Sequence, residues 1–144
     1  MKSKVCKIVS LAMVIAILVG IMPLVSAADV RASDYFWCTS AQITPTGSGN
    51  MVVEFDVTAT ETMKEVGTSK VVIYERQSNG TYKAVKTFTR YNTAGLIEYN
   101  TFCSVGDVSY KGTPGVKYYA VVTFYAKNAD GSETLNMTTR IITA

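Results

Sequence analysis

Between residues 118 and 127 the chain alternates strictly, which places Tyr118, Ala120, Val122, Phe124 and Ala126 on one face of a period-two strand. Tyr119, Val121, Thr123, Tyr125 and Lys127 fall on the other. The first set is apolar enough for a core. Pro114 and Gly115 open this strand, and Asn128, Asp130 and Gly131 close it with hairpin chemistry, because Gly accepts positive φ and Asn or Asp bonds its own backbone. The same reading places Met51, Val53, Phe55 and Val57 inward on a strand over 51–60, and Val71 and Ile73 inward on one over 69–77.

Turn residues divide the remainder at intervals typical of all-β domains. Further strands are predicted over 35–44, 82–90, 96–105 and 132–143, with Asn79-Gly80 the strongest hairpin signal. Residues 61–68 read as a loop with one helical turn, and 106–115 as a connection. Helical periodicity is nearly absent. Seven strands without helices cannot bury their faces as one flat sheet, so the expected fold is an all-β, two-sheet antiparallel β-sandwich.

The first 27 residues differ in kind. Lys2, Lys4 and Lys7 precede an apolar run from Ile8 to Met22, and small residues follow at Ser26, Ala27 and Ala28, the pattern of a cleaved export signal. The expected organisation is a leader over 1–27, a short entry segment over 28–34 and one domain over 35–144. Secretion is the expected localisation, with no stable membrane insertion of the mature chain. The leader holds three of the 14 basic residues and none of the 11 acidic ones, so the processed chain is neutral. The net charge of +3 belongs to the precursor. Nucleic acid is therefore not an expected partner: no basic stripe or Gly-rich phosphate loop is present.

Pro114-Gly115-Val116-Lys117-Tyr118 resembles the turn before strand F of fibronectin type III modules, and the immunoglobulin-like sandwiches share the architecture. In that resemblance Tyr118 forms a tyrosine corner, its ring in the core and its hydroxyl bonded to nearby backbone. Residues 72–82 resemble the family's strand C, hairpin and following strand, and residues 126–132 its F to G hairpin. The whole layout, a leader and one such module opening with Arg31-Ala32-Ser33, resembles short exported proteins of Gram-positive bacteria.

Cys38 and Cys103 are the cysteines left after processing, an even pair that suggests a disulfide in an oxidising compartment. On the chain-entropy model such a bridge would stabilise by about 4 kcal/mol. The fibronectin-like order implies otherwise, since it sets the first and fifth strands on either side of the second, about 9.6 Å apart and beyond disulfide reach. Both readings stand at this point.

The chain has no histidine. That removes Ser-His-Asp and Cys-His nucleophile systems and most zinc and copper sites. Paired carboxylates could still hydrolyse glycosides, and Glu54, Asp56, Glu61, Glu65 and Glu98 are the candidates. Strand alternation already accounts for Glu54 and Asp56. Asn128-Ala129-Asp130-Gly131 has the start of a calcium loop without its remaining ligands, and a hairpin turn suffices to explain it. No cofactor or metal is expected.

The remaining signal is aromatic. If the third and sixth strands pair as in the resembling modules, Tyr119, Val121 and Tyr125 lie beside Val72 and Tyr74 and form a candidate apolar binding face. Tyr35-Phe36-Trp37 is a second candidate, which a core role for the first strand would equally explain. The expected function is a non-catalytic module that binds a protein or a glycan outside the cell. The alternatives are a carbohydrate-binding module using the tyrosines and a small carboxylate-dependent glycoside hydrolase.

Overall fold

A strand of 27 residues organises the molecule. The computed structural model describes residues 33–144, so the expected leader and most of the entry segment lie outside the described residues. Within them run β1 (Phe36–Gly47), β2 (Asn50–Arg76), β3 (Tyr82–Thr89), β4 (Ile97–Lys111), β5 (Lys117–Lys127), β6 (Ser132–Thr138) and β7 (Ile142–Thr143). All pairings are antiparallel. No helix among the described residues is long and apolar enough to cross a membrane.

β2 changes partners along its length. Residues 50–58 lie between β1 and β4, residues 65–67 between β4 and β5, and residues 70–75 between β5 and β3. β6 and β7 both pair with β5. Gly67 sits at the handover with φ of +150°, and a Cβ there would run into the carbonyl oxygen of Leu96. That close approach lets Thr68 N–H donate to the same carbonyl at 2.7 Å.

The two halves of β2 contribute to one core. Ile43, Val53 and Val57 join Val71, Ile73 and Phe124 in a single buried cluster, and the predicted inward sets of β2 and β5 are all buried. Three expectations are corrected. Residues 61–68 are extended and paired, because β4 supplies a ladder that local polarity does not reveal. Residues 106–111 continue β4, with Val108 buried over Val53. The last strand divides because Thr139 leaves the ladder: its Oγ1 accepts from Ala120 N–H while its own N–H donates to Ala120.

Candidate binding faces

The predicted tyrosine face is assembled. Tyr74 pairs with Tyr119 and Val72 with Val121, while Tyr125 lies four residues beyond Val121 at the far end of β5, opposite Gly67. All five side chains are half-buried. Tyr74 and Tyr119 stack at 4.9 Å with a 7° interplanar angle, and Tyr82 meets Tyr119 edge-on at 4.9 Å. These rings therefore spend much of their π surface on one another. At the other end the Arg90 guanidinium lies 4.8 Å over Tyr125 and pairs with Glu65, which Lys127 also approaches at 3.7 Å.

Tyr118 joins the core to the turn that precedes β5. Its ring is fully buried and its hydroxyl accepts from Thr113 N–H at 2.8 Å while donating to Glu75. Burial first, then the bond to Glu75, raises its pKa above the ordinary tyrosine value. Gly112 packs on this ring so closely that a Cβ would stand 2.6 Å from it.

Cys38 and Cys103 both register on Thr58, one from each side, and stand as free thiols. Two strand spacings separate them by about 9.6 Å. Of the carboxylates, Glu54 accepts from Gln42, Glu61 from Asn128 and Glu65 from Arg90, which scatters them among separate structural partners. Glu98 is exposed on β4 and Asp56 on the outer side of β2. Asn128 Oδ1 accepts from the backbone N–H groups of Asp130 and Gly131, as its turn role requires.

Tyr91, 89% exposed, lies at the Tyr125 end of the tyrosine face, 5.6 Å from the same Arg90 guanidinium, and other exposed apolar side chains lie elsewhere. The predicted Tyr35-Phe36-Trp37 cluster divides: Phe36 enters the core, whereas Trp37 is 80% exposed. A bulge causes this, since Phe36 pairs with Ala59 and Cys38 with Thr58, leaving Trp37 as the extra residue. On β4, Tyr99 is 64%, Phe102 54% and Val105 73% exposed. The strand predicted over 96–105 includes all three with no face assigned to them. Their spacing of three, against a strand period of two, is a signal that some must point outward.

A groove of about 570 Å³ joins Trp37 to Phe102, with Cys38, Thr58, Ala59, Thr60, Glu61 and Thr62 between them. It exists because the β2–β4 ladder breaks here, between Thr58–Cys103 and Met63–Thr101, so that residues 59–62 stand opposite Phe102. That excursion is pinned from two sides. Thr60 donates from N–H to Tyr35 and from Oγ1 to Asp34, and Glu61 Oε1 accepts from Asn128 at 2.8 Å. No family model matches this chain, and no curated protein matches it.

Proposed function

We propose that the described residues form a two-sheet sandwich of the fibronectin type III kind, exported and non-catalytic, which binds a partner outside the cell. Support for the architecture comes from the strand order, β1–β2–β4 in one half and β3–β2–β5–β6 in the other, and from the hydroxyl of Tyr118. Support for a non-catalytic role comes from the absence of histidine in the sequence and from the carboxylates' separate partners.

One observation carries the binding reading. Trp37 on β1 and Phe102 on β4 are both exposed across β2 and line one groove, where burial of large apolar side chains would be worth most to a partner. The test is retention of the purified protein on intact cells of its producing organism. Trp37→Ala with Phe102→Ala is expected to release it. Retention that survives this pair and falls with Tyr119→Ser and Tyr125→Ser would move the contact to the tyrosine face.

A further inference from the structure

Three neighbouring strands are irregular at the same level. β1 carries the bulge that expels Trp37, β2 makes the excursion over 59–62, and β4 presents Phe102 against it. Bulges re-aim side chains and concentrate beside functional sites. Here they place two exposed aromatic rings at the walls of one groove, with threonine side chains and one carboxylate between them.

The lining decides the ligand class. It contains no Lys or Arg, and Glu61 is its only charged group, so phosphate polymers, acidic glycans and nucleic acid would meet repulsion without a compensating cation. A protein hot spot is richer in Tyr, Trp and Arg and poor in Thr, whereas Thr58, Thr60 and Thr62 make up much of this wall. A sugar chain has the complementary alternation. A β-linked pyranose with equatorial substituents offers an apolar C–H face to a ring and hydroxyls at its edge. The carboxylate of Glu61, fixed through Asn128, is placed to accept from such a hydroxyl.

We propose that the Trp37–Phe102 groove binds a neutral, β-linked oligosaccharide, with Trp37 and Phe102 as stacking platforms and Glu61 as a hydroxyl acceptor. The inference rests on the reading of this protein as a binding module. It names the ligand class of that same site. Bonds already formed by Thr60 and Glu61 hold the wall in place, so little conformational freedom would be lost on binding.

Trp37 is the sole tryptophan, so its fluorescence reports on this groove alone. The protein, as processed by its producing cell, is titrated with cellohexaose, N-acetylchitohexaose and xylohexaose, and with polygalacturonate as the anionic comparison. At least one of the three neutral chains is expected to blue-shift Trp37 emission, shield it from acrylamide and slow alkylation of Cys38. Phe102→Ala is expected to weaken that binding about tenfold or more, and Glu61→Gln less. Unchanged thermal melting of both variants shows that they fold. Failure of all three chains to change Trp37 emission overturns the inference, as does equal affinity in Phe102→Ala measured by affinity electrophoresis. Retention on cells separates the two levels. Loss of retention after protease treatment of the cells, but not after polysaccharide hydrolysis, overturns the sugar assignment and leaves the binding module. Absence of retention together with absence of sugar binding overturns both.

Discussion

Tyr118 ties together three segments, because one hydroxyl serves Thr113 five residues before it and Glu75 on β2 while the ring fills the core. Tyr118→Phe removes both bonds and leaves Glu75 Oε2 without its donor, so a loss of about 1–3 kcal/mol is expected in denaturant unfolding. The pH dependence follows from the raised pKa. A folded-state pKa above the unfolded value near 10 means that the contribution is complete below about pH 10 and is lost as pH rises through the folded value. Stability should therefore fall in that alkaline window in the native protein and fall less in Tyr118→Phe. Thr68 presents the opposite case. Its Oγ1 is buried with no protein partner, so Thr68→Val is expected to leave stability unchanged or raise it by about 1 kcal/mol. A marked loss in thermal melting would mean that the hydroxyl is bonded after all.

At the scale of elements, β2 shows what local pattern can and cannot reveal. Its two halves were legible because Met51 to Val57 and Val71 to Ile73 alternate, and alternation is a property of the strand itself. The stretch between them was not. Met63, Glu65 and Val66 are extended because β4 pairs with them from more than 30 residues away, and Gly67 is a glycine because Leu96 comes so close. Gly67→Ala should cost about 3 kcal/mol or more, through strain at positive φ and collision with that carbonyl. Guanidinium unfolding checks it. The cysteines test the pairing itself. With Thr58 between them, Cys38 and Cys103 should give two reactive thiols when the unreduced protein is unfolded. No reactive thiol would contradict the β1–β2–β4 order.

For the molecule as a whole, the sequence separated core from surface better than it ranked the surfaces. The tyrosine face was legible because Tyr119, Val121 and Tyr125 alternate along one strand, yet only the register reveals that Tyr74 stacks on Tyr119 and that Arg90 covers Tyr125. The Trp37–Phe102 groove was hidden for the converse reason: a bulge and a broken ladder on different strands create it, and neither leaves a local periodicity. The exposed end of β1–β2–β4 as contact surface is thus a claim about long-range pairing. Trp37 emission, recorded as the protein is mixed with cell-envelope material of its producing organism, tests it most directly. A blue shift with lost acrylamide quenching, in step with co-sedimentation, is the predicted result. Co-sedimentation with Trp37 as exposed to quencher as before would contradict it.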